Sequence, residues 1–316
     1  MTDVSVPVTP DDVARAAEGI AGRVRRTPVI EHDDLVLKLE LLQHAGSFKS
    51  RGAFNRVLSE PEIPPSGLIA ASGGNHGAAV AFVGRSLGLP VEVYVPSTSP
   101  DVKRRNIERF GATAVVVEGY YDDAQREANT RQACSAALMV HPYDHVATVA
   151  GQGTMALELE QQLDLQFGPG SFDTLVVASG GGGFTAGQAA WFRDRVKIVS
   201  VEPETSQCLR AALAAGGPVP VPVSGVAADS LGAKQIGAVP WGVVRHFVDE
   251  AVVVSDDAIR GVQRELWSDL RLVVEPGGAA ALAAVRSGAY RPETGERVVV
   301  VVCGSNCDPA TVTGDG

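Results

Sequence analysis

Short apolar runs of strand length alternate with longer segments of helical period along almost the whole chain. That rhythm restricts the fold more than any other feature, because strands separated by helices belong to α/β architecture with mostly parallel sheets. From Ser66 it is regular: GLIAAS predicts a strand, NHGAAVAFVGRSLG a helix and VEVYVP a strand. DVKRRNIERFG predicts a helix ending at Gly111, ATAVVVEG a strand, DDAQREANTRQACSAAL a helix and MVHPYD a strand. A second series runs GTMALELEQQL (helix), DTLVVAS (strand), FTAGQAAWFR (helix) and VKIVSVE (strand). The Gly/Pro-rich AALAAGGPVPVPVSGVAAD has no clear period and reads as an ordered connection. SDDAIRGVQRELWSDL and GGAAALAAVRSG then read as helices and ERVVVVVCG as a strand. Near the start, Thr9-Pro10-Asp11-Asp12 predicts a helix with Thr9 as N-cap, Pro10 at its first position and acids against the dipole.

The expected organisation is two domains with open, mostly parallel twisted sheets flanked by helices. A small α/β unit over 59–145 is inserted in a larger one formed by 1–58 and 146–316. In such sheets ligands bind beyond the carboxyl ends of the strands. The loops after GLIAAS, DTLVVAS and ERVVVVVC are therefore the places where chemistry is expected.

The loop after DTLVVAS is SGGGGF, Ser179 to Phe184, and it leads straight into a helix. Its glycines strip away side chains and expose amides at a positive helix end, which suits a phosphate. The same turn supports a rival, since Gly181-x-Gly183-x-x-Ala186 matches the dinucleotide pattern and Glu202 lies about 20 residues on, where a ribose-binding acid belongs. The loop after GLIAAS is SGGNHGAA, Ser72 to Ala79, which offers donors to a carboxylate at a helix N-terminus, or an ordinary N-cap by Asn75. The third loop is CGSNCD, where Cys303 closes a run of valines and behaves as a small apolar residue with a weak donor. Outside these loops stands GSFKSRGA, Gly46 to Ala53, a lysine surrounded by small residues that leave its amine accessible.

Composition narrows the function. A formal net charge of −10 with only RVRRTP and KRR as basic spots excludes a polyanion-binding face, so no nucleic-acid partner is expected. No apolar run approaches the ~20 residues of a membrane span, and MTDVSVPVTPDD lacks a leader's apolar core, so the expected location is cytoplasmic. Cys134, Cys208, Cys303 and Cys307 form no CxxC pair, and His76 has no ligand partner at useful spacing, so no metal site is expected.

Taken together, GSFKSRGA, SGGNHG, AGQGT (Ala150 to Thr154), SGGGG, VEP (Val201 to Pro203), VEPGGAAALAA (Val274 to Ala284) and VVCGSN resemble the pyridoxal-phosphate enzymes of the tryptophan-synthase β-subunit fold (fold type II), in the serine/threonine dehydratase and serine racemase group. They occur in family order from about residue 26 almost to the end of the sequence. The resemblance implies a Schiff base between pyridoxal 5'-phosphate and Lys49, with Phe48 against the ring. It further implies Gly180, Gly181, Gly182 and Gly183 on the phosphate, Asn75 on the ring 3-hydroxyl, and Cys303 facing the pyridine nitrogen, with Glu275 in the cofactor pocket. Ser72, Gly73, Asn75 and His76 would bind the substrate carboxylate, and Arg51 would be structural. The activity implied is α,β-elimination of L-threonine or L-serine to a 2-oxo acid and ammonia by a homodimer acting on a small amino acid. Dehydration of another β-hydroxy amino acid such as 3-hydroxyaspartate, β-replacement and serine racemisation are the alternatives within the group. A nicotinamide oxidoreductase and a silent ligand-binding relative are the alternatives outside it.

Three positions depart from the family pattern. Gly73 stands where the racemases carry a second serine, which argues for elimination over racemisation. The family's divalent-cation site uses the Glu of VEP, a carbonyl four residues on and an Asp six residues on; here these are Glu202, Ser206 and Cys208. Ser230 stands where the family usually has Gly beside the cofactor. The sequence also stops soon after CGSN, and no regulatory domain is expected.

Overall fold

The computed structural model describes residues 5–99 and 101–313, so part of the leader reading at residues 1–4 lies outside the described residues. The chain opens with α1 (Pro10–Gly19), started as its sequence requires: Thr9 accepts from the Asp12 amide, and the Thr9 amide donates to Asp12 in return. The strands β1 (Val29–His32) and β2 (Leu35–Lys38) follow as a hairpin, and α2 (Lys49–Leu58) begins at the lysine of GSFK.

Next come β3 (Leu68–Ala71), α3 (Asn75–Leu87), β4 (Val91–Pro96), α4 (Asp101–Glu108), β5 (Thr113–Val117), α5 (Tyr121–Ser135) and β6 (Leu138–Met139). Their strands make a parallel four-stranded sheet ordered β5-β4-β3-β6. MVHPYD is strand only at its start. From His141 the backbone turns, because Pro142 has no amide to give a ladder and the Tyr143 and Asp144 amides bond His141 Nδ1 instead.

The long α6 (Val146–Phe167) takes in AGQGT and starts seven residues before Gly153, capped by His145, whose side chain accepts from the Ala147 amide. Its glycines are there for close packing. A Cβ at Gly153 would stand 2.6 Å from the Gly187 carbonyl oxygen, and one at Gly52 in α2 would stand 2.8 Å from that of Thr148. Then follow β7 (Thr174–Ala178), α7 (Gly183–Phe192), β8 (Lys197–Pro203), α8 (Cys208–Ala215), α9 (Ala228–Leu231), α10 (Ala238–Phe247), β9 (Glu250–Val254), α11 (Asp256–Leu270), α12 (Pro276–Arg286), β10 (Val298–Val301) and α13 (Ala310–Thr313). The second sheet has six strands ordered β1-β2-β10-β7-β8-β9, parallel except for the β1–β2 pair.

The connection expected over 211–229 is helical up to Ala215, because the AALAA stretch continues α8 before Gly216 ends it with a φ of 74°. The strand β9 and the helix α10 were not legible in the sequence. Each sheet has its own apolar core, one built on β7, β8 and β10 and one on β3 and β4. Among the described residues, no helix is long and apolar enough to cross a membrane.

Candidate active site

GSFK runs along the end of β10. Ser47 bridges Gly304, the Phe48 amide donates to the Cys303 carbonyl, and Ser305 donates back to Gly46. Lys49 is thereby the first residue of α2, and its Nζ donates to the Pro142 carbonyl at 2.9 Å. Burial pulls this amine down to about 8, against Cys303 and Glu275, which favour the ammonium form. Phe48 stacks on Phe184 with centroids 4.0 Å apart, and the amine lies 5.2 Å from the Phe48 ring centroid.

Two residues further along α2, the buried Arg51 fastens the helix from below. Its guanidinium donates to both oxygens of the fully buried Glu40, at 2.9 and 2.7 Å, and to Glu158 of α6 at 2.8 Å. Burial alone would favour neutral Glu40, yet Arg51 holds its carboxyl below the usual range. Such a network fixes geometry more than it adds net stability.

The four glycines Gly180 to Gly183 pass from β7 into α7. Among the described residues none of their amides donates to a protein acceptor, and the N-cap Gly182 brings no side chain. Gly182 needs its freedom at φ 84°. A Cβ at Gly181 would stand 2.6 Å from the Tyr143 ring. The result is a bare, positive helix end, tied to the lysine's segment by the stack of Phe184 on Phe48.

SGGNHG forms the start of α3. Gly74, not Asn75, is its N-cap, and Ser72 Oγ accepts from the Gly74 amide at 3.2 Å. The amides of Asn75, His76 and Gly77 therefore lie in the first turn, where no preceding carbonyl can take them. The His76 imidazole does not share that surface. It is buried with Nε2 bonded to the Val140 carbonyl at 2.6 Å, and burial, with Lys49 nearby, pushes it down to about 3. Only the backbone of His76 is left to meet an anion.

The Asn75 side chain is held from both ends. Its Nδ2 donates to Glu275 Oε1, and its Oδ1 accepts from Asn306 Nδ2 at 2.8 Å; Asn306 Oδ1 accepts in turn from Asn106 of α4 at 3.1 Å. Burial pushes the Glu275 carboxyl up to about 7, and its second oxygen has no partner. Gly304 permits this approach, since a Cβ there would stand 1.9 Å from Glu275 Oε1. Cys303 is buried at the end of β10 with its thiol toward the Gly277 carbonyl at 3.5 Å, and burial pushes that thiol up. Ser230 Oγ accepts from the Gly277 amide at 3.1 Å, so its hydroxyl caps α12.

Gly73 has no space for a side chain as the loop stands, because Ser99 Oγ lies 2.1 Å from where its Cβ would be. Glu202, the acid that a dinucleotide site would place on a ribose, is fully buried. Both its oxygens accept amides of α8, from Leu209 and Arg210 at 2.8 Å each. Contacts through Pro142, Tyr143, Phe184 and Glu275 thus make Lys49, the four glycines, the start of α3, Asn75 and Cys303 one neighbourhood. Sequence reasoning missed the HPYDH loop, which supplies Pro142 and Tyr143. A proline and an aspartate between two histidines after a strand is the turn signal that marks it.

The family model described as pyridoxal-phosphate dependent enzyme matches residues 20–304. The chain belongs to that family. Within the family it is 35% identical to L-threonine dehydratase biosynthetic IlvA of Escherichia coli (strain K12), over 86% of this chain and 53% of the relative. The chain thus spans about half the length of that relative. It is 33% identical to the serine racemase of Bos taurus, over 96% of this chain and 94% of the relative. The solved structure of maize serine racemase superimposes with a TM-score of 0.89 at 30% identity, covering 96% of this chain and 94% of that one. The architecture is that of the fold type II pyridoxal-phosphate enzymes.

This neighbourhood fits the family's cofactor on its own geometry. It holds an amine of lowered basicity, a run of unpartnered amides whose glycines pack too closely on Tyr143 and Ile236 to carry side chains at 181–183, and a buried carboxyl oxygen of Glu275 without a partner among the described residues. The divalent cation that the resemblance implies finds no such fit, because Glu202 caps α8 and position 208 is a thiol.

Proposed function

We propose that the chain is a pyridoxal-phosphate-dependent ammonia-lyase, which removes water from L-threonine, L-serine or both and releases a 2-oxo acid and ammonia. The observation that carries this reading is the Lys49 amine, held at 2.9 Å by Pro142 with its basicity lowered by burial, between two helix ends that present bare amides. When bound there, pyridoxal phosphate supplies the electron sink that acidifies the Cα proton.

The residues divide the remaining work. Lys49 holds the cofactor and moves the Cα proton, for which an amine poised near neutrality is suited. The amides of Gly180 to Gly183 bind the phosphate at the positive end of α7. The amides of Asn75, His76 and Gly77, with Ser72 and the side-chain-free Gly73, bind the substrate carboxylate at the end of α3. Asn75, fixed by Glu275 and Asn306, would bond the ring 3-hydroxyl with its remaining N–H, and Phe48 would pack against the ring. Cys303 stays a neutral thiol and does not hold the ring nitrogen protonated, which favours loss of a β-substituent over transamination. With no hydroxyl at Gly73, proton exchange is one-faced and elimination outruns racemisation. The reading includes a small unit over 59–145 inserted in a larger one, a homodimer and a cytoplasmic location; light scattering tests the dimer. The activity is tested by offering L-threonine, L-serine and other β-hydroxy amino acids to the cofactor-loaded protein. Formation of a 2-oxo acid supports the reading, and inversion at Cα without it counts against it.

A further inference from the structure

The loop after β8 carries the three positions that the resemblance implies for a divalent cation, and the two that would offer side chains, Glu202 and Cys208, are committed elsewhere. Glu202 accepts the Leu209 and Arg210 amides with its two oxygens, which makes it the cap of α8. Ser206 is buried and its hydroxyl donates to the Leu231 carbonyl at 3.1 Å; Leu231 lies against Gly180. Cys208 is buried and its Sγ donates to the Gly180 carbonyl at 3.1 Å. Hard cations need several oxygen ligands, and a thiol that is itself a hydrogen-bond donor is a poor substitute. A cation at this place would have to displace the two amide hydrogen bonds on Glu202 and the thiol's hydrogen bond to the Gly180 carbonyl.

We infer that this loop is a cation-free strut, in which the Cys208 thiol holds the first glycine of the phosphate loop and Glu202 holds Cys208's helix in place. Cys208 is then a positioning residue for the cofactor phosphate, acting through Gly180. The inference rests on the cofactor reading but not on the choice of substrate.

The test uses holoenzyme treated with a chelator and then given Mg²⁺, Mn²⁺ or Ca²⁺ at matched ionic strength. Tm and the rate of cofactor release, followed by the cofactor's own absorbance, are measured together. A Tm change alone would not report on this loop, because His32, Asp33 and Glu265 cluster elsewhere around Arg286. The strut predicts that cofactor release changes less than about twofold with each cation, within the reach of non-specific screening. A saturable slowing of release by any of the three overturns it. In the second arm, Cys208→Ala speeds release about fivefold, the effect of one ordinary hydrogen bond, and Cys208→Ser restores most of it. Release from Cys208→Ala equal to wild type also overturns the inference. Neither arm requires turnover, so a wrong substrate leaves both readable.

Discussion

The Lys49 amine donates a 2.9 Å hydrogen bond to the carbonyl of Pro142, 93 positions away. The bond joins the start of α2 to the loop ahead of α6, two helices that glycines bring into close contact. The amine therefore sits where backbone packing puts it, and its burial sets its basicity.

Cofactor attachment should follow that basicity. Burial lowers the amine to about 8, so the reactive neutral fraction rises through that pH and not near the ordinary lysine value of 10.5. The rate at which cofactor-free protein takes up pyridoxal phosphate, measured by absorbance, should be half-maximal near pH 8. A profile still climbing at pH 10 would show an ordinary lysine.

Glu275 should make the cofactor-free protein lose stability as pH rises. Its folded-state carboxyl is raised to about 7, above the unfolded 4.5, so between these values the folded form binds more protons than the unfolded one. Glu275→Gln removes that dependence and keeps an acceptor for Asn75. The variant should gain up to about 3 kcal/mol over wild type at pH 8 and little at pH 5 in urea unfolding. An equal gain at both values would mean that the carboxyl is not perturbed.

Arg51→Met should destabilise the fold by about 3–5 kcal/mol, because it leaves the buried Glu40 carboxylate without its partner. Adding Glu40→Gln should recover part of that loss, which a double-mutant cycle in urea measures. Strict additivity of the two substitutions would show that the pair is not coupled.

Gly181→Ala should weaken cofactor affinity at least about tenfold, since its Cβ meets the Tyr143 ring at 2.6 Å and the loop must move. Gly261→Ala serves as the control, having nothing within 4 Å in a helix where alanine is preferred, and should leave affinity unchanged. A fluorescence titration with pyridoxal phosphate separates the two, and equal affinities would mean that the glycines are not a cradle.

Much of this was legible because it is local. GLIAAS, VEVYVP and DTLVVAS announce parallel strands by composition, and the glycines of SGGGG and SGGNHG announce bare helix ends. The β9 strand and α10 were not, since EAVVV and AVPWGVVRHF offer short patterns without a clear boundary. The orientation of His76 depends on the Val140 carbonyl 64 positions away, and that of Asn75 on Asn306 231 positions away. No period in a sequence encodes such pairs. GTMALELEQQL announces a helix from Gly153, but α6 begins at Val146, and the glycines of AGQGT let α2 and α7 approach it.

The central claim is that Lys49 holds the cofactor and drives elimination. The most direct measurement compares wild type and Lys49→Ala, each incubated with pyridoxal phosphate and L-threonine or L-serine, by the 2-oxo acid and ammonia formed. The account predicts equal amounts of both products from wild type and none above background from the variant. A variant that forms 2-oxo acid at the wild-type rate would contradict it.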